Sequence, residues 1–350
     1  MAKKVYDWSK YPKVGMYDFT PEEQAFWPMQ AVLPKWKISD TVCLQVAISG
    51  GGARITPKQN PYHPGADLDN IRDSADEVLA LEEGPTVVHF DHDTPSCQTR
   101  DGKKMDYGDS YAYVIEPLIK KYGWEKLFTH VNCLRGDLSQ QMLPVVGGFC
   151  EMTYTHPRAS PLWQKTTIEL HRENGVRPEI AIHVDSEIEL ANRLLIKTGL
   201  MPNPNIWCML VGLPGKGPRH PFSYIPNERA MCEVVMTNVE RIREVDPEAE
   251  ITINAAGRAA RYIVLLGLIL GLNVRVGMED TVFQYPFKDD PCKSNAEEVV
   301  WGIQAAKLCG RRVLTPNEWR AHLGQPARYS FELDGRLKES KEPALASSTR

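Results

Sequence analysis

Eight short runs rich in β-branched and apolar residues recur along the chain, and longer stretches with helical spacing lie between most of them. The runs cover residues 44–49, 86–91, 127–133, 148–154, 179–184, 206–212, 250–255 and 273–278. The helix-like stretches cover 68–82, 110–122, 161–173, 186–198, 227–245 and 258–270, and one more at 296–308 follows the last run. A strand that rejoins its sheet through a helix does so by a right-handed crossover, which gives parallel strands. Eight strands over roughly 270 residues match the usual size of a closed barrel. The expected fold is therefore α/β, a (β/α)8 TIM barrel at 41–330, with an open doubly wound sheet as the alternative.

Residues 1–40 hold Trp8, Tyr11, Tyr17, Phe19, Trp27 and Trp36 among several prolines, without a period. So many large aromatics are expected to pack on something. The segment reads as an extension lying on the barrel or on a neighbouring subunit. Residues 331–350 are polar and charged and read as a loose tail.

Lys plus Arg number 41 against 45 Asp plus Glu, a net charge of −4, which offers no basic surface to nucleic acid or an anionic membrane. The eight cysteines are scattered with no C-x-x-C pair, which argues against a zinc ribbon or a thioredoxin-type site. Thiols inside apolar runs fit a reducing compartment, and the expected location is the cytoplasm. The basic start of the chain lacks the apolar segment of a signal peptide. The most apolar stretch, 262–276, is shorter than the ~20 residues a bilayer span requires. Glycines 50–52 follow the first run but form no G-x-G-x-x-G, so the turn is read as lining a site and not as a dinucleotide fingerprint.

In a barrel the chemistry sits at the carboxyl ends of the strands, and inward side chains recur at every second residue. The last run places Arg275, Gly277 and Glu279 on one face. Charges inside a barrel are costly unless they bind a ligand, a metal or each other. A plain Arg275–Glu279 ion pair is the alternative to a site. Asp280 lies just past the strand, where a carboxylate can move a proton. The second run ends in His89 and Asp91 on one face, and His92 and Asp93 begin the loop. Imidazole and carboxylate together suit Zn²⁺ or a similar ion. With Glu279 they would give three protein ligands and an open position, the catalytic pattern. Thr153 and Thr155 at the fourth strand end, and Glu179 with His183 on the inner face of the fifth, are further polar candidates around a substrate. The glycine-rich basic loop at 212–220 could receive the phosphates of a long ligand.

The stretch VRVGMED at 274–280, with KSN at 293–295, RVLTP at 312–316 and LG at 323–324, resembles the C-terminal third of the β-keto acid cleavage enzymes, also called the 3-keto-5-aminohexanoate cleavage family. The turn at 50–53, Val88-His89, RPE at 177–179 and AGR at 256–258 follow in the expected order, so the resemblance spans residues 42 to 325. It implies an oligomeric (β/α)8 barrel, a dimer or tetramer, holding a divalent metal, typically zinc. It also implies condensation of a β-keto acid with acetyl-CoA and cleavage of the adduct into acetoacetate and a new acyl-CoA. By the same resemblance Glu279 and His89 are metal ligands, Asp280 is the general base and Arg275 its electrostatic partner. Two departures stand out. The family's H-x-H pair becomes His89-Phe90-Asp91-His92, so Asp91 or His92 supplies the remaining ligand, and iron or manganese become alternatives to zinc. Arg54 stands where amino-substrate members carry an acidic residue, which points to a substrate with a distal anionic group. Rival readings are an aldolase, lyase or hydrolase that uses the same enolate chemistry without CoA, and a non-catalytic metal- or carboxylate-binding barrel.

Overall fold

A computed structural model describes residues 4–24, 35–49, 60–92, 98–134, 136–212 and 225–329. It divides into two units, Met1–Ile38 and Ser39–Arg350. In the first unit a 3-10 turn at Trp8–Lys10 is capped by Asp7, and Trp8 packs between the rings of Tyr6 and Tyr11 at 5.4 and 5.8 Å. A short helix at Pro21–Gln24 starts on Thr20, which exchanges side-chain and backbone hydrogen bonds with Glu23. Residues 331–350 lie outside the described residues.

In the second unit eight parallel strands close into a barrel: β2 (Leu44–Ala47), β3 (Val87–Phe90), β4 (Thr129–Val131), β5 (Met152–Thr155), β6 (Arg177–Ile182), β7 (Ile206–Val211), β8 (Glu250–Ala255) and β9 (Asn273–Val276). Closure runs through β2, where Val46 pairs with Val88 on one side and with Val276 on the other. Two further strands, β1 (Thr41–Val42) and β10 (Arg312–Val313), pair with each other outside the barrel. The (β/α)8 expectation is met, and the open sheet is set aside. The stretch 186–198 divides into an α-helix at Ser186–Ala191 and a π-type turn at Asn192–Ile196. Two helices of four residues, Leu138–Gln141 and Leu143–Val146, were not expected, because four residues are too few to show a helical period. No described helix is long and apolar enough to cross a membrane.

Strand pleating divides the residues cleanly. Val46, Val88, Val131, Ile180, Trp207, Ile251 and Val274 face outward into the main apolar cluster beneath the helices. The inward residues fill the barrel in levels drawn from alternate strands, as such barrels require. At the amino-terminal end Val87, Phe128, Met152 and Ile206 close over Trp319 and Leu323. Above them lies a polar level from β2, β4, β6 and β8, where Gln45 donates to Glu179 (3.4 Å) and Thr252 (3.3 Å) and His130 approaches Glu179 at 3.6 Å. The next level comes from β3, β5, β7 and β9 and contains His89, Tyr154, Cys208 and Arg275. A barrel normally fills these levels with Val, Ile and Leu, so two polar levels mark the end that carries chemistry.

The floor is held by Arg320, fully buried on helix Pro316–His322, which bonds both oxygens of Glu151 (2.8 and 2.9 Å) and the carbonyls of Trp124 and Leu127. Burial acts to raise the Glu151 carboxyl, but Arg320 and then Arg328 outweigh it and hold it below its usual range. Removing one partner of such a pair leaves the other charged in a dry interior, at about 3–5 kcal/mol. Arg320→Ala is expected to lose that much in urea unfolding, and a loss under 1 kcal/mol would show that Arg328 alone compensates Glu151.

Candidate active site

At the end of β3, His89 and Asp91 meet in one cluster, whereas Phe90 packs in the apolar core beneath the helices and His92 lies against Tyr111. Ligand atoms of His89, Asp91 and Glu279 lie within 4.8 Å of one another. His89 Nε2 is 3.4 Å from Glu279 Oε2, yet neither atom, nor His89 Nδ1, makes a hydrogen bond among the described residues. Buried polar atoms in that state are rare and suit an ion. His92 lies elsewhere: its ring stacks on Tyr111 at 4.2 Å, its backbone N–H donates to the Tyr111 hydroxyl, and burial depresses its pKa to about 3. His92 therefore lies outside the cluster, and Asp91 is the neighbour of His89 that joins it.

Glu279 reaches this point because β9 ends on Gly277. At φ +122° Gly277 lies so close to β2 that a Cβ would sit 2.3 Å from the Ala47 carbonyl oxygen. The turn is then clamped: Glu279 N–H donates to Ala47 O (3.3 Å), and Met278 N–H to the side chain of Asn295 (2.8 Å). Arg275 spreads its guanidinium over the cluster. Nε and Nη2 take the two oxygens of Asp280 at 2.9 and 3.0 Å, Nη2 also meets Glu279 Oε1 at 3.0 Å, and Nη1 donates to the Tyr154 hydroxyl. Asn254 adds a bond to Asp280 Oδ2 at 3.2 Å. The Arg275–Glu279 pair thus exists, but Asp280 shares the same cation.

The two adjacent carboxyls are pushed apart. Burial acts to raise Glu279, but Arg275 and then His89 overcome it and hold its pKa at about 2. For Asp280 burial prevails over Arg275, with the Glu279 charge acting on the side of burial, and its pKa rises. A carboxylate fixed in its ionised form beside one made more basic is the division between a ligand and a proton acceptor.

Thr153 and Thr155 do not join this site. β5 pairs Thr153 with Pro178, Tyr154 with Glu179 and Thr155 with Ile180, so both threonines share the helix-facing side with Ile180. Thr153 Oγ1 accepts from the Cys133 N–H at 3.3 Å. The structure does not bring the two expected substrate-binding threonines to the cluster; the inward residue is Tyr154 between them. Glu179 faces inward as expected but sits one level deeper, where burial raises its pKa to about 7 against the pull of Arg275. His183 lies at the mouth, stacked on His156 at 5.8 Å, with Nδ1 3.6 Å from Glu187. Arg54, the turn at 50–53 and residues 213–220 lie outside the described residues. Tyr154, His130 and Asn254 were missed; alternation along 152–156 could have marked Tyr154 once the phase of β5 was known.

A (β/α)8 barrel that collects buried charge at the carboxyl ends of its strands is an enzyme scaffold. The model of the β-keto acid cleavage enzyme family matches residues 41–324, and the chain belongs to that family. It is 34% identical over 152 residues to a 3-keto-5-aminohexanoate cleavage enzyme of Acetoanaerobium sticklandii, covering 43% of this chain and 50% of that protein. The enzyme of the same name from Fusobacterium nucleatum is 29% identical over 149 residues, 42% of this chain and 47% of that protein. The chain thus spans about half the length of the curated relatives it matches. Among solved structures, ObcA in a binary complex with oxaloacetate shares the fold, with a TM-score of 0.60 and 17% identity over 75% of this chain and 67% of that one.

Glu179 supplies a pH test. Its pKa is raised from 4.5 to about 7, so the folded state holds the proton more tightly. The stability this confers is complete below pH 4.5 and is lost as pH rises to about 7, a change of about 3 kcal/mol. Glu179→Gln should lack this slope, gaining on the wild type in unfolding free energy across that window. Parallel curves for the two proteins would refute the assignment.

Proposed function

We propose that the protein is a metal-dependent β-keto acid cleavage enzyme that condenses a β-keto acid with acetyl-CoA and releases acetoacetate and a new acyl-CoA. The observation that carries this reading is the His89–Asp91–Glu279 cluster set against an Asp280 carboxylate clamped on Arg275. A divalent ion held by those three residues would supply Lewis acidity toward a keto oxygen. Zinc suits the imidazole, and the two carboxylates make iron or manganese the alternatives.

The remaining steps belong to the chain. Asp280, made more basic by burial, accepts the proton from the carbon between the keto and carboxylate groups. Arg275 keeps its charge in the buried site and balances the negative charge left on the substrate. The carbanion attacks the thioester carbonyl of acetyl-CoA and expels the CoA thiolate. The thiolate then adds to the original keto carbon, and retro-Claisen cleavage of its bond to the α-carbon gives the new acyl-CoA and an acetoacetate enolate that takes the proton back from Asp280. Arg54 is proposed to meet a distal anionic group of the keto acid, and Glu179 to support the site from below. The working enzyme is proposed to be a cytoplasmic homo-oligomer.

Two measurements decide the reading. Purified protein should contain about one divalent ion per chain, lost in Glu279→Gln, and should form acetoacetate from a panel of β-keto acids only with acetyl-CoA present. Asp280→Asn should keep the metal and lose about 10²–10⁴ in kcat. Metal-dependent cleavage without thioester would move the protein to the aldolase or lyase reading, and absence of metal would leave a carboxylate-binding barrel.

A further inference from the structure

Arg275 has five N–H groups. One at Nε and two at Nη2 are taken by Asp280 and Glu279, and Nη1 donates to the Tyr154 hydroxyl. The phenol oxygen therefore acts as acceptor toward a cation that can accept nothing in return, and the phenol's own proton must point elsewhere. Among the described residues its other polar neighbour is the Cys208 sulfur at 3.8 Å, a weak partner. Tyr154 is also the member of its level closest to solvent, 8% exposed where His89, Cys208 and Arg275 are at 0, 1 and 2%. Its ring packs edge-on against His130 at 4.3 Å and lies 5.4 Å from the ring of His89, so the hydroxyl is held beside the cluster. Packing alone would be served as well by phenylalanine, without the cost of burying a hydroxyl.

We propose that Tyr154 is a catalytic hydrogen-bond donor to the oxyanion that develops on a β-keto acid as Asp280 takes its proton. The inference rests on the proposed function for the identity of the substrate. The carbon-bound proton passes to Asp280, the electron pair moves onto the keto oxygen, and Tyr154 donates a hydrogen bond without giving up its proton. Because Tyr154 and Asp280 are bonded to different nitrogens of one guanidinium, donor and base keep a fixed separation. A donor of this kind contributes about 10²–10³ in rate.

The test uses the full chain loaded with its metal and compares wild type with Tyr154→Phe, which keeps the ring. Deuterium uptake into acetoacetate in D2O without acetyl-CoA, followed by NMR above the uncatalysed rate, reads proton abstraction alone. Tyr154→Phe should lower its kcat about 10²–10³-fold with KM within about threefold. It should also bind oxalate, a planar dianion resembling the enolate, at least about tenfold more weakly by calorimetry, with metal content and melting temperature unchanged. Exchange within threefold of wild type, or equal oxalate affinity, overturns the proposal. Loss of metal alongside the lost rate also overturns it, by making Tyr154 a structural support. Wild-type exchange without acetyl-CoA-dependent acetoacetate formation would remove the CoA reading and leave Tyr154 as donor. Neither exchange nor oxalate binding in the wild type would remove both.

Discussion

The buried guanidinium of Arg275 is the interaction on which the rest of the site depends. Taking that charge out of water is expensive, and it is tolerated because two carboxylates and a phenol surround it. The dependence runs both ways. Without Arg275, Glu279 and Asp280 would face each other as adjacent charges in a dry barrel, and one would have to take up a proton. With it, Glu279 is held down, while burial and then the Glu279 charge keep Asp280 raised against the same cation, so two chemically distinct acids stand on consecutive residues.

The polar level below serves the same end by different means. Gln45, His130, Glu179 and Thr252 carry no fixed cation among them, and burial leaves the Glu179 carboxyl raised and His130 lowered well below its usual value. Burial thus favours the neutral form of both groups beneath the charged level, with Arg275 pulling Glu179 the other way. The carbon skeletons of Val87, Phe128, Met152 and Ile206 then seal the barrel below.

Much of this was legible in the sequence, and the failures have identifiable causes. Alternating β-branched runs and helical stretches sufficed for the barrel, because closure of eight such units leaves few other solutions. Arg275, Glu279 and His89, which the structure brings together, stand out in the sequence because charged or imidazole groups at the carboxyl end of a strand are conspicuous against apolar neighbours. The phase of a short strand was harder. The fourth run was expected to start at Gly148, whereas β5 starts at Met152, and nothing in the local pattern separates Thr-Tyr-Thr facing in from the same residues facing out. Choosing between Asp91 and His92 likewise needed the helix bearing Tyr111, whose ring covers His92 from outside the strand. Tertiary partners of that kind leave no mark in the strand itself.

The seam of the barrel runs through the site. Cys43 N–H bonds the side chain of Asn273, 230 residues away, and Asn295 bridges the Ile48 carbonyl to the Met278 amide at the end of β9. The site is therefore assembled by contacts between the first and last strands of the barrel. During synthesis, His89 and Asp91 emerge from the ribosome well before Arg275 and Glu279, and no partial barrel can bring them together. Until the ring closes the charges of the site stay dispersed along the chain, so completion of the site is coupled to completion of the fold.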